Sequence, residues 1–378
     1  MTNDATPVRV GIIGLGEVAQ VIHLPILRTL PDRYCVTAIC DVSPTLLASI
    51  GDRDGIPPGA RHADYLALVA RSDIDAVLVL NTTEYHADCA IAAMRAGKHV
   101  LIEKPMCLTL READAIIAER DRSGVHAIVG YMRRFAPAFL QAVDEVKSLD
   151  RILSARVRTL IGPNRLFIDQ TSRVERPDDI PEAMLQDRRD RADRLTEEAI
   201  NGASGGAPGS ASGESSPELT RTYRLLCGLN CHDLSAMREL LGMPRRVLAA
   251  THWNGGGNCQ AILDYGSFHA AFESGTDLQA RFDAHIEVHG TTKSVRIQYD
   301  TPYIRHLPTT LHVTETAGDR LTETVIRPTY VDPYTHELVH FHEVITGRAD
   351  PKTTPEDSRD DLRLFAMIVE SIRTTAAS

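Results

Sequence analysis

Residues 8–130 alternate short apolar runs with stretches of helical period, and this alternation restricts the possible fold more than any other feature of the sequence. Val8–Ile13, Tyr34–Cys40, Ala76–Leu80, His99–Ile102 and Ala127–Val129 read as strands with hardly a polar residue. Such strands are buried on both faces, which occurs where helices cover both sides of a parallel sheet. Ala19–Leu30, Leu46–Ile50, Tyr65–Ala70, His86–Ala96 and Leu110–Ser123 read as the intervening helices. Gly97 and Gly124 stand where a helix C-cap favours a left-handed residue. The pattern predicts a doubly wound α/β domain.

Chemistry enters at the first turn. Gly14-Leu15-Gly16-Glu17-Val18-Ala19 fits G-x-G-x-x-A, follows the first strand and opens a helix. The bare pattern is weak, and its position gives it weight. Gly14 permits a tight turn, Gly16 lets a pyrophosphate approach the backbone at the helix N-terminus, and Ala19 packs helix on strand. Asp41, at the end of the second strand, is placed to bond both hydroxyls of a ribose and to repel a 2′-phosphate. No Lys or Arg at 42–44 offsets that repulsion, so NAD is expected rather than NADP. Glu103-Lys104-Pro105 ends the fourth strand, at the sheet edge where open α/β folds bind ligands.

The texture changes near residue 150. Ile152–Ile161, Val247–His252, Gln260–Tyr265, Phe268–Glu273, Ala280–His289, Ser294–Gln298, Thr310–Thr316 and Leu321–Ile326 read as strands with one solvated face. Helices are expected at Asp233–Leu241, Tyr334–Thr346 and Pro355–Thr374. The expected fold is therefore an α/β Rossmann domain with a parallel sheet (1–131), followed by an α+β domain with a large open, mostly antiparallel sheet (132–378). Residues 163–222 interrupt the second domain as an insertion, charged in its first half and rich in Gly, Ser and Ala over 201–216. This composition predicts a long, partly disordered excursion, serving as a lid or an interface arm.

Composition removes several function classes. With 41 basic and 51 acidic residues the formal charge is −10, which argues against non-specific nucleic-acid binding. No apolar stretch reaches the roughly 18 residues of a membrane span. The first seven residues show neither the basic nor the apolar region of a secretory signal. Seven scattered cysteines read as reduced, mainly buried thiols, so a cytoplasmic protein is expected.

Four segments occur in family order: the turn at 14–19, Asp41, His86-x-x-x-Ala90 running through Ala96-Gly-Lys-His-Val-Leu-Ile-Glu-Lys-Pro105, and Gly130-Tyr-Met-Arg-Arg-Phe135. Together they resemble the glucose–fructose oxidoreductase/inositol dehydrogenase (Gfo/Idh/MocA) family, most specifically in the Ala-Gly-Lys-His-Val-Leu-x-Glu-Lys-Pro string. The resemblance covers nearly all of 8–150, resumes over 223–300 and at the C-terminal helix, and fails over 163–222. It implies hydride transfer between a nicotinamide and a secondary alcohol or ketone on a sugar, glycoside or cyclitol. It also implies a homodimer or homotetramer formed through the C-terminal sheet.

The resemblance implies a site as well. Gly14, Leu15, Gly16, Glu17, Val18, Asp41, Asn81, Thr82, His86, Glu103, Lys104 and Arg133 would contact cofactor. Met132, Arg133, Asn164, Asn230, His232 and Tyr334 would contact substrate. Lys104 would hold the reacting hydroxyl while His232 moves the proton. In such enzymes a D-x-G-x-H-x-x-D stretch supplies the His and a carboxylate. Alignment on Leu241-Gly242 places His232 on that His, but Gly228, Asn230 and Ser235 replace the expected Asp, Gly and Asp. Asp233 directly follows the His and does not take over the missing role without a different backbone path. Arg133 and Arg134 read equally as surface ion pairs.

Two patterns compete. His336-Glu-Leu-Val-His340 is a literal H-E-x-x-H on an expected helix, yet no third ligand follows, and Glu337 fits the family's helix. Cys227-x-x-x-Cys231-His232 has ligand types without a second pair at finger spacing. No metal is expected. Two alternatives to a freely exchanging dehydrogenase stay open: an enzyme whose tightly bound NAD serves transient oxidation in epimerisation or elimination, and an inactive NAD-binding regulator.

Overall fold

The computed structural model describes residues 6–202 and 215–376. Most of the Gly/Ser/Ala-rich stretch at 201–216, and the first five residues, read above for a secretory signal, lie outside the described residues. The chain divides into two compact units.

The first unit comprises Met1–Gly130, Ser172–Leu195 and Glu337–Arg359. Its sheet contains β1 (Val8–Ile13), β2 (Tyr34–Cys40), β3 (Arg61–His62), β4 (Ala76–Val79), β5 (His99–Glu103) and β6 (Ala127–Gly130). All pairings are parallel, in the order β3-β2-β1-β4-β5-β6. The order reverses between β1 and β4, which opens a crevice at their carboxyl ends. The strands β4 and β6 are buried throughout, as expected of a sheet covered on both faces. Between the strands lie α1 (Leu24–Thr29), α2 (Pro44–Arg53), α3 (Tyr65–Val69), α4 (His86–Arg95) and α5 (Leu110–Ser123). A π-helical turn, Ala19–His23, leads into α1 and is buried along its whole length. The bounds of α5 follow from local chemistry. Thr109 and Glu112 close a capping box at its start, and left-handed Gly124 (φ 69°) ends it.

The second unit comprises Tyr131–Thr171, Thr196–His336 and Asp360–Ser378. It begins with α6 (Pro137–Lys147), a helix the sequence reading does not supply. Its sheet contains β7 (Ser154–Ile161), β8 (Arg246–Trp253), β9 (Asn258–Asp264), β10 (His269–Thr276), β11 (Phe282–His289), β12 (Lys293–Tyr299), β13 (Thr310–Ala317) and β14 (Arg320–Ile326). The order is β14-β13-β12-β11-β7-β10-β9-β8, and every pairing is antiparallel except β7 with β10.

The insertion requires a correction. Its described part holds three helices, α7 (Arg165–Thr171), α8 (Glu182–Gly202) and α9 (Pro217–Leu225), with an irregular stretch over 172–181 between the first two. The charge-rich sequence that reads as unable to bury a core pairs with itself and with the surface of the first unit. Arg165 pairs with Asp169, and Arg189 with Glu182. Leu195 and Ile200 are the buried apolar contacts of α8. The remaining helices are α10 (Cys231–Leu241), α11 (Pro333–Ile345) and α12 (Pro355–Ala376). No helix among the described residues is long and apolar enough to cross a membrane.

Candidate functional site

In the first unit the β1 turn is built around two glycines with different jobs. Gly14 has φ 93°, and a Cβ there would lie 2.5 Å from the backbone N and Cα of Asn81. Gly14 is therefore demanded by the close approach of the β1 and β4 ends. A Cβ on Gly16 would meet nothing within 4 Å, so no part of this chain demands the second glycine. The space in front of it suits a group from outside the chain. Ala19 is fully buried against the sheet.

Asp41 ties this turn to the end of β2. One carboxylate oxygen accepts from the Leu15 N–H at 2.7 Å, the other from the Ser43 N–H at 2.9 Å. Burial pushes the Asp41 carboxyl up, while the amides of Ser43, Leu15 and Val42 work in the opposite direction. At the end of β4 the Asn81 Oδ1 is buried without a partner, while its amide nitrogen lies 3.3 Å from Cys89 Sγ. A dinucleotide fits this edge: open space before Gly16, a carboxylate at the end of β2, and a buried acceptor in want of a donor.

The Glu103-Lys104-Pro105 segment is held from two sides. The His86 ring lies within hydrogen-bond distance of Pro105 O (2.8 Å) and Asn81 O (2.9 Å), clamping the β4 end to the segment. His86 is 1% exposed, and burial lowers its pKa. Glu103 pairs with His23 at 2.7 Å and accepts from the Lys104 N–H at 3.1 Å. Burial, the largest influence, opposes its ionisation, yet the His23 bond and the charges of His23 and Lys104 together hold it below the usual range. Lys104, half-buried, precedes Pro105 across a cis peptide bond.

A segment of the insertion runs along the same edge of the first unit. Glu175 exchanges two backbone bonds with the Gln20 amide, each 2.9 Å. Arg176 pairs with Glu17 at 3.2 Å. Asp179 accepts from Ser43 Oγ at 2.6 Å and from the Thr45 N–H at 2.8 Å. Tyr85 donates to Asp187 at 2.6 Å. Arg191 donates to Glu84 O and Asp88 and lies over the Tyr85 ring. The attachments thus fall on the loops after β1, β2 and β4. Sequence reasoning missed all of them, because none has a local signal.

In the second unit, Arg133 and Arg134 are buried rather than surface ion pairs, at 3% and 5% exposure. Arg133 pairs with Asp233 on α10, and its guanidinium lies over the rings of Tyr299 (4.7 Å) and Phe282 (5.6 Å). Arg134 pairs with Glu239 at 2.5 Å. Burial raises the Asp233 pKa against the opposing charge of Arg133. Of the substrate candidates, Met132, Arg133 and Tyr334 line one cleft with Tyr299, Thr301 and Asp332. The hydroxyls of Tyr299 and Thr301 are buried without a partner. They therefore want hydrogen bonds from water or a hydroxylated ligand.

His232, Asn230 and Asn164 do not line that cleft. His232 (7% exposed) sits in the first turn of α10, and Asn230 accepts from Ser274 Oγ at 3.0 Å. Asn164 precedes α7, with its Oδ1 buried and unpartnered. At Gly228, where the family carries a carboxylate, a Cβ would meet nothing within 4 Å.

The H-E-x-x-H lies on α11, and His340 Nε2 accepts from the Lys352 N–H at 3.3 Å. Among the described residues no three His, Cys, Asp or Glu side chains gather as a metal site. All seven cysteines are thiols rather than disulfides, and six are buried, with Cys35 exposed.

Comparison with known proteins bears on the family and the fold. Residues 8–131 match the GFO_IDH_MocA family model, an oxidoreductase family with an NAD-binding Rossmann fold. A myo-inositol 2-dehydrogenase of Thermotoga maritima is 33% identical over 140 residues, 37% of this chain and 41% of that protein. The chain thus matches less than half the length of that relative. The aldose–aldose oxidoreductase of Caulobacter crescentus has the same fold over 98% of both chains, with a TM-score of 0.71 at 20% identity. A 3-ketoreductase of Actinomadura kijaniata, solved with TDP-benzene and NADP, aligns over 98% of both chains with a TM-score of 0.69 at 22% identity.

Proposed function

The chain belongs, through residues 8–131, to the Gfo/Idh/MocA oxidoreductase family, and from that premise we propose an NAD(H)-dependent enzyme that interconverts a secondary alcohol and a ketone on a sugar, glycoside or cyclitol. The observation that carries the cofactor assignment is Asp41. Its carboxylate joins the glycine turn to the end of β2, at the one edge where Gly16 leaves open space. When bound, the nicotinamide supplies the hydride acceptor or donor. The β1 turn and Asp41 would hold the dinucleotide, with Asn81 offering its unpaired acceptor. The inositol dehydrogenase and ketoreductase relatives support the substrate class.

We assign Lys104 to orient the substrate hydroxyl and stabilise the developing alkoxide, and His232 to take or return the proton. Assembly as a homodimer or homotetramer is proposed through the second unit's sheet, whose strands expose Leu248, Trp253, Ile262, Leu321 and Val325.

The test is a panel of inositols, aldoses and glycosides incubated with NAD or NADP, with NADH or NADPH formation followed by absorbance. Oxidation with NAD is expected, and absence of NAD binding by the full chain overturns the reading. Lys104→Ala is expected to lower kcat by more than about tenfold with the fold unchanged. A smaller effect removes Lys104 from the chemistry.

One observation favours a second reading, in which NAD stays bound through the catalytic cycle. The segment from Glu175 to Arg191 is attached to loops after three strands of the binding edge. That reading expects turnover without added cofactor, and NAD released when the purified protein is denatured.

A further inference from the structure

The insertion places a second carboxylate beside Asp41. Ser43 is the N-cap of α2, its Oγ accepting from the Leu46 N–H at 3.1 Å. The same Oγ donates to Asp179, and the Thr45 N–H, in the first turn of α2, donates to the other oxygen of that carboxylate. The first-turn amides of a helix have no partner within it, and the helix dipole favours an anion there. Asp179 takes that role here. The Ser43 hydrogen bond, with those of Thr45, holds its carboxyl below the usual range, so it is ionised at neutral pH.

This arrangement bears on the cofactor. The Ser43 N–H is itself bound to Asp41, so the hydroxyl and amide held by Asp179 belong to the same short loop as the ribose carboxylate. A 2′-phosphate on a ribose held at Asp41 would arrive at this loop with about two negative charges and three acceptor oxygens. It would need donors, and Ser43 Oγ and the Thr45 amide are two that the loop offers. Both are taken. We propose that Asp179 is a cofactor-specificity residue, an internal carboxylate that occupies the donors a 2′-phosphate would use and, with Asp41, excludes NADP.

The assignment rests on the NAD-binding reading above but fails separately from it. Asp41 alone repels the phosphate. Asp179 adds a second repulsion and removes the compensating hydrogen bonds. Its effect is therefore on NADP, whereas NAD, which carries a plain 2′-hydroxyl, makes no demand on Ser43 or Thr45.

The experiment measures NAD and NADP dissociation constants by calorimetry on the full chain freed of carried nucleotide, for the parent, Asp179→Ala, Asp179→Asn and Arg176→Ala. NAD binding by the parent establishes the underlying reading, and its absence overturns both. Given NAD binding, Asp179→Ala is expected to tighten NADP at least about tenfold while NAD changes less than about threefold. Asp179→Asn, which keeps size and removes charge, is expected to move the ratio in the same direction. Arg176→Ala loosens the segment at Glu17 but leaves Asp179 in place, and is expected to leave the ratio unchanged. An unchanged ratio in both Asp179 variants overturns the proposal. An equal shift in Arg176→Ala overturns it too, because the effect would then belong to the segment and not to the carboxylate.

Discussion

Arg133→Ala is expected to lower the stability of the folded protein by about 3–5 kcal/mol at neutral pH, read as a lower urea midpoint at unchanged slope. The reason is the carboxylate it leaves behind. Asp233 is 0% exposed and pairs with Arg133, whose guanidinium also lies over the rings of Tyr299 and Phe282. Burial already raises the Asp233 pKa with the arginine present. Without it the folded-state value rises further above that of the unfolded chain. Between those two values the folded state binds more protons than the unfolded one, so stability falls as pH rises. The deficit of the variant therefore shrinks on acidification through that interval. Adding Asp233→Asn should restore part of the stability and flatten the pH dependence. Replacing both partners by apolar side chains, Arg133→Met with Asp233→Leu, should cost little at any pH. A single Arg133→Ala variant as stable as the parent would mean that the guanidinium is not committed to the pair, and would return it to the ligand.

The sequence reads best where structure is set locally. The apolar run Tyr34–Cys40 is β2 to the residue, and Leu110–Ser123 is α5 to the residue, because a capping box and a left-handed glycine mark its ends. The glycine turn and Asp41 are legible for the same reason, since the motif describes one strand, one turn and one helix start. The failures are contacts across the chain. Asp179 lies 134 residues from Thr45, and nothing near either residue announces the other. The helix α8 carries too little apolar surface to show a face, and its register is supported by charge pairs such as Arg191 with Asp88. The partner of Arg133 is equally hidden. Asp233 has no role in the family pattern, and only the fold shows that it neutralises an arginine 100 residues away. The parallel pairing of β7 with β10 is invisible for a similar reason, as strand texture records a solvated face and not the direction of the neighbour.

The two glycines of the β1 turn should respond oppositely to the same substitution, and that contrast tests the cofactor edge most directly. Gly14→Ala is expected to destabilise the protein by about 3 kcal/mol or more. At φ 93° a side chain is strained, and its Cβ would sit 2.5 Å from backbone atoms of Asn81, which are part of the chain leaving β4. Neither the turn nor the strand end is able to yield as a flexible side chain would. Gly16→Ala should fold as well as the parent, since its Cβ meets nothing within 4 Å and the backbone there is not left-handed. Losing a glycine at a compatible conformation even adds about 0.4–1 kcal/mol by restricting the unfolded chain. Its NAD affinity is nonetheless expected to fall by about a hundredfold or more, because the new methyl group stands where the pyrophosphate must approach the amides. Thermal unfolding and NAD titration of both variants separate the two demands. If Gly16→Ala binds NAD as the parent does, the dinucleotide does not cross this turn, and the open space before Gly16 serves some other ligand.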